Sequence, residues 1–220
     1  MKYRNFIPGI YPARVRGQII IMNVIDNNFY ILSPGESRSL LQCYTGDNNV
    51  TFMGRGILTN KFNNHDQYNL FKEKDTLGIG VNFWSLKNMN ISFRNQFWIL
   101  QMIKSLYISH KLIKKGLPYT INYLNENCIK TIKKLDVAQV VQHLNAATLL
   151  YPFKTKCLEW SIALTHYIIQ FGYQPVLKIG VQNKPFYSHA WIELDGEVIG
   201  DISDLNERMV VIYQSKLGAR

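Results

Sequence analysis

Cysteine is scarce in this chain, with three in 220 residues, at Cys43, Cys128 and Cys157. The odd count and the lack of paired metal-ligand spacing argue against a disulfide framework and a structural zinc. Long apolar runs are missing too. Residues 1–16 carry Lys2, Arg4, Arg14 and Arg16 with no apolar stretch between them, which fits neither a secretory signal nor a membrane span and leaves the cytoplasm as the expected location. Acidic side chains are few, 15 against 25 Lys and Arg, for a net charge of +10. That surplus asks for an acidic partner. No nucleic-acid motif accompanies it, and an acidic peptide or the acidic face of a partner enzyme answers it equally well. Gly78-Ile79-Gly80 is too short for a phosphate loop and no Gly-Lys-Ser run follows, so no nucleotide cofactor is expected. Against these absences stand 47% hydrophobic and 13% aromatic residues, ample for a packed core in one large or two small domains.

Cys157 is placed differently from the other two cysteines. Leu158, Ile162, Thr165 and Ile169 recur at helical spacing just after it, Thr155 is a candidate N-cap, and Gly172 with Pro175 supplies a stop, which predicts a helix over 156–171. A thiol at the start of a helix faces free backbone N–H groups and the positive end of the dipole, both of which favour thiolate, and Lys156 can add to the shift. Downstream, 175–181 and 188–193 read as strands, and Asp195-Gly196 turns the chain back into 197–201. This brings Cys157, His189 and Asp201 into consideration as nucleophile, base and orienting acid. Cys43 and Cys128 read as packing residues, and the same reading is open for Cys157, since cysteine is a common small core residue.

The hairpin register bears on that triad. A two-residue loop, Asp195-Gly196, sets Ala190 opposite Asp201 and turns His189 away. A three-residue loop, Leu194-Asp195-Gly196, sets His189 directly opposite Asp201, and this is the register predicted here. The Cys157 N–H is the natural first oxyanion donor; the sequence names no second. Water completes hydrolysis of the resulting thioester and an amine completes acyl transfer. His166, nine residues beyond Cys157, falls on the far side of the helix at about 100° per residue. His65, His110 and His143 show no carboxylate or cysteine partner in the pattern, and Asp195 reads as a turn residue.

The stretch 156–164, Ile179-Gly180-Val181, 184–193 and 196–201 closely resembles the B protein of lasso-peptide biosynthesis, of the microcin type. His-x-Trp on the strand after the cysteine helix also marks the wider transglutaminase-like cysteine protease superfamily. The resemblance is dense over 156–201, about a fifth of the chain. It implies a leader peptidase acting on a ribosomally made precursor peptide, with an asparagine-synthetase-like lasso cyclase as partner, and a Cys-His-Asp triad that maps to Cys157, His189 and Asp201. It also implies a leader-recognition domain fused to the protease.

In the amino-terminal half, 13–16, 18–25 and 28–32 look like three strands, the last two joined by Asp26-Asn27. Ser33-Pro34-Gly35-Glu36 is a capping box that opens a helix to Tyr44. A further short helix is expected at 49–59, and 60–75 reads as an exposed polar loop. Strands followed by helices resemble the winged-helix leader-recognition domains of peptide-maturation enzymes, where a leader adds as a strand to a sheet edge. Asn28, Phe29, Tyr30, Ile31 and Leu32 are the expected edge; the alternative is an ordinary hairpin strand whose Phe29 and Ile31 fill a core. Long helices are expected at 93–114, bracing the two halves, and at 136–150.

The expected architecture is therefore α+β: a small winged-helix-like domain over 1–90 and, over 91–220, a transglutaminase-like, papain-like cysteine protease domain with an antiparallel sheet. Two rival readings stand beside the leader peptidase, an acyl transferase of the same fold and a non-catalytic basic winged-helix binding protein.

Overall fold

The computed structural model describes residues 2–46, 56–72, 76–80, 96–129 and 134–217. The fold is α+β, with antiparallel sheets. Its first half holds β1 (Tyr3–Phe6), β2 (Ile10–Val15), β3 (Gln18–Asn23), β4 (Asn28–Ile31), α1 (Pro34–Tyr44) and β5 (Leu58–Asn63). Strands β2, β3 and β4 form a three-stranded sheet in that order, so β4 is an edge; β1 pairs separately with β5. Helix α1 starts where the capping box places it. Ser33 Oγ accepts the Glu36 N–H and Glu36 Oε2 accepts the Ser33 N–H, at 3.3 and 2.9 Å, with Pro34 in the first turn where its missing N–H leaves nothing unpaired.

Strand β3 is apolar at consecutive positions because both its faces are covered. Ile19 and Ile21 join Phe6, Leu40 and Tyr44 in an amino-terminal core. Ile20 and Met22, pointing the other way at the strand period of two, join a larger core with Leu106, Leu144, Leu164 and Ile192. Burying one such side chain contributes about 2 kcal/mol. One face of the small sheet is thus part of the core of the second half.

That second half holds α2 (Gln96–Lys114), α3 (Leu117–Glu126), α4 (Val137–Leu150), α5 (Cys157–Ile168), β6 (Val176–Asn183), β7 (Phe186–Leu194), β8 (Glu197–Ile199), α6 (Leu205–Arg208) and β9 (Val210–Lys216). The sheet order is β8-β7-β6-β9, all antiparallel. Helix α5 lies between this sheet and α2. Ser105 Oγ and Ser109 Oγ on α2 donate to the backbone carbonyls of Ala163 and Glu159 at 2.7 and 2.6 Å. On its other side, Ser161 Oγ donates to the Ala190 carbonyl on β7 at 3.1 Å. Helix α5, which begins at Cys157, is pinned on both flanks.

Several expectations need correction. Residues 60–75 do not form a loop throughout, since β5 runs to Asn63 and pairs with β1; a polar edge strand paired across more than fifty residues leaves no local pattern. Of the helix expected at 49–59, residues 49–55 lie outside the described residues, and its end begins β5 instead. On α2, the residues that helical spacing sets on one face, Phe97, Leu100 and Tyr107, do not form its packing stripe: they are exposed, while Ile99, Met102 and Leu106 are buried. The expected boundary between residues 90 and 91 lies outside the described residues. Among the described residues no helix is long and apolar enough to cross a membrane.

Candidate active site

Helix α5 begins at Cys157, with Lys156 as the N-cap residue in place of Thr155. Glu159 Oε2 accepts the Lys156 N–H at 2.9 Å and so closes the first turn. The sulfur then meets its surroundings at close range. Burial raises the Cys157 pKa, but the hydrogen bond and charge of His189, with the backbone N–H groups of Ala190 and Leu158, outweigh it and leave the thiol below its ordinary value.

His189, on β7, is buried. Its Nε2 lies 2.7 Å from Asp201 Oδ2. A carboxylate can only accept, so Nε2 carries the proton and Nδ1 faces the sulfur. Asp201 Oδ1 accepts the Ile202 N–H at 2.9 Å, which fixes the carboxylate. Burial lowers the His189 pKa, yet hydrogen bonds to Asp201 and Cys157 and the charges of both raise it to about 9. A depressed thiol beside a raised imidazole favours the thiolate–imidazolium form over the neutral pair.

The register that achieves this is not the predicted one. Leu194 pairs with Glu197 and Ile192 with Ile199, so the loop is the two-residue Asp195-Gly196, both with positive φ (53° and 89°). A continued ladder would pair Ala190 with Asp201. Instead Gly200, at φ 72°, ends β8 and turns the chain, which carries the Asp201 carboxylate to His189. The same departure frees the Ala190 N–H, which a longer β8 would have bonded, to donate to Cys157. Gly200 and Ala190 are functional positions that pattern reading missed. Gly before Asp was the available signal.

A cleft of about 520 Å³ opens over the triad. Cys157, Ser188, His189 and Ala190 line its floor; Ile113, Leu117 and Phe153 line one side; Asn23, Asn27, Asn28 and Phe29, from the β3–β4 turn and β4, line another. Asn28 and Phe29 of the expected leader edge therefore border the same cleft as Cys157. Within that edge Tyr30 and Ile31 are exposed, Phe29 packs on Phe186 at the start of β7 with ring centroids 5.6 Å apart, and Leu32, just past the strand, is buried in the amino-terminal core.

The remaining histidines divide. His110, read as partnerless, binds Glu159 Oε1 through Nδ1 at 3.1 Å and stacks on Phe153, so a second imidazole–carboxylate pair lines the cleft. The two residues sit on different helices, which is why sequence spacing hid the pair. His166 faces away from Cys157 as expected. It contacts Ser105 Oγ at 2.9 Å, and burial with the nearby Lys104 charge lowers its pKa to about 4. His143 is buried against Trp98.

The chain is similar to the microcin J25-processing protein McjB of Escherichia coli, with 31% identity over 121 residues that make up 51% of this chain and 55% of the relative. The chain thus spans about half the length of the curated relative it matches. No solved structure matches it. Residues 120–214, which contain Cys157, His189 and Asp201, match the model of the transglutaminase-like superfamily.

Proposed function

We propose that this protein is a cysteine peptidase that binds the leader of a ribosomally made lasso-peptide precursor and removes it before a partner cyclase closes the ring. The observation that carries the reading is that one cleft is bordered both by the Cys157–His189–Asp201 constellation and by the free edge strand β4. The similarity to a microcin-processing protein supports the substrate class.

The chemistry follows from the protonation states. The Cys157 thiolate adds to the carbonyl carbon of the scissile peptide, and the oxygen takes up the negative charge beside the Cys157 N–H. His189, protonated and held by Asp201, gives its proton to the departing amine, and the C–N bond breaks to leave a thioester. Water then enters; His189 takes its proton, hydroxide adds to the thioester, and Cys157 leaves as thiolate. The leader departs with a free carboxylate.

Leader binding uses the β4 edge. The Leu32 N–H donates inward to the Ile19 carbonyl at 2.9 Å, and strand alternation then points the backbone groups of Phe29 and Ile31 outward, unpaired by β3. An added strand would bond there. Asn28 and Phe29 border the cleft, so a leader whose carboxyl end reaches Cys157 runs from the Ile31 end toward the Asn28 end, antiparallel to β4. The asparagine-synthetase-like cyclase is the expected partner, and the cytoplasm the expected site of action.

The test is incubation of the purified protein with the precursor encoded beside its gene, followed by mass spectrometry. Release of an intact leader with a free carboxyl terminus, lost in Cys157→Ala, is the expected result. An unchanged rate in Cys157→Ala overturns the peptidase reading, and a new amide at the cut site replaces it with acyl transfer.

A further inference from the structure

We infer that Trp160 is a positioning residue for the triad, acting through Gly200; this rests on the reading of Cys157, His189 and Asp201 as a working triad. A Cβ placed on Gly200 would strike Trp160 Cη2 and lie 3.1 Å from its Cζ2 and 3.2 Å from Val141 Cγ1. With the chain this close to the indole and at φ 72°, a side chain at this point fits only if the turn or the indole moves. The wall it passes is itself fixed. Trp160 is 3% exposed and its Nε1–H donates to Asn145 Oδ1 at 2.9 Å, with Asn145 likewise 3% exposed. Val141 and Asn145 lie four apart on α4 and so share one face.

Trp160 is also three residues beyond Cys157 on α5, within a single helical turn. One helix thus supplies the nucleophile and the surface against which the acid-bearing turn is shaped. The turn has two effects on the sulfur. It delivers Asp201 to His189, and it leaves the Ala190 N–H for Cys157 rather than for the Asp201 carbonyl. Displacing it removes both supports of the thiolate while leaving every triad residue in the chain.

The experiment needs no substrate. Iodoacetamide labelling of Cys157, followed peptide by peptide across pH in the full-length protein, reads its thiolate fraction. Wild type is expected to show an inflection below the ordinary thiol value. Gly200→Ala is expected to keep its fold by circular dichroism but to label at least about tenfold more slowly at pH 6.5, the effect of one pKa unit. The same substitution is then made in a Trp160→Phe/Asn145→Leu host, which removes donor and acceptor together and opens room for the Cβ. There Gly200→Ala still carries the strain of its left-handed φ but not the clash, so its effect on the labelling rate is expected to be at least about threefold smaller than in wild type, and the two sites couple. Should Gly200→Ala fail to fold alone, the host must restore its folding.

A folded Gly200→Ala with the wild-type inflection overturns the inference, as does an equal effect, or loss of folding, in both backgrounds. An ordinary inflection for Cys157 in wild type instead overturns the triad on which the inference rests.

Discussion

His189 Nε2 stands 2.7 Å from Asp201 Oδ2, although β8 stops at Ile199 and Asp201 belongs to no ladder. The contact sets the proton on Nε2 and leaves Nδ1 toward Cys157. Asp201→Asn keeps the shape but removes the charge that holds the imidazolium. Turnover of the leader-bearing precursor is expected to fall by about 10² to 10⁴-fold, with the circular dichroism spectrum and the melting temperature close to wild type. A loss of less than about threefold would show that the contact does not matter to catalysis.

The thiolate–imidazolium pair has an unusual stability profile. His189 has its pKa raised from 6.5 to about 9, so its contribution is complete below 6.5 and is lost as pH rises through about 9. Cys157 is lowered from 9.0, so its contribution is complete above 9.0 and is lost as pH falls through its depressed value. Where the two ranges overlap, between the thiol's depressed value and about 9, the slopes oppose. Melting temperature is expected to vary least in that overlap. In Cys157→Ser only the histidine slope remains, and stability should decline from pH 6.5 upward. A thermal melt series on both proteins checks the sign.

The β4 edge can be silenced without disturbing the hydrophobic core. Ile31 is 43% exposed and its N–H faces outward, so Ile31→Pro removes one bond to an added strand and leaves the β3–β4 ladder intact. Precursor binding by fluorescence anisotropy is expected to weaken about tenfold, the equivalent of about 1.4 kcal/mol, with iodoacetamide labelling of Cys157 unchanged. Equal affinity in the variant would remove β4 as the docking edge.

Gly180 faces His189 across the β6–β7 ladder, and a Cβ there would meet Trp191 Cζ3 and Met209 Cβ at 2.8 Å. Gly180→Ala must push the indole, which lies beside the His189 ring with centroids 6.3 Å apart. A loss of about 1 to 3 kcal/mol in urea unfolding is expected.

Local signals carried much of the site. Helix α5, the strands around His189 and the α1 capping box all follow from a few residues each, because periodicity and capping are decided within one or two turns. Asp195-Gly196 marks the turn, but the register of Asp201 does not follow from it, because β8 stops at Ile199 instead of continuing to Asp201. One left-handed glycine changes the geometry after it, and its reason, the indole of Trp160, lies on another element. The β1–β5 pairing and the His110–Glu159 contact were hidden for the same cause, being made between distant segments. Nothing in the sequence marked the two-sided burial of β3, whose apolar run fits a strand or a buried helix turn alike.

That two-sided burial constrains how the chain can be dissected. Freed of the amino-terminal strands, the second half would present to water the surface now covered by Ile20, Met22 and Val24. The amino-terminal piece would carry the matching greasy face. Cut apart and expressed separately, the halves are expected to aggregate or to seek each other out, so that the amino-terminal piece would behave as a subunit awaiting its mate.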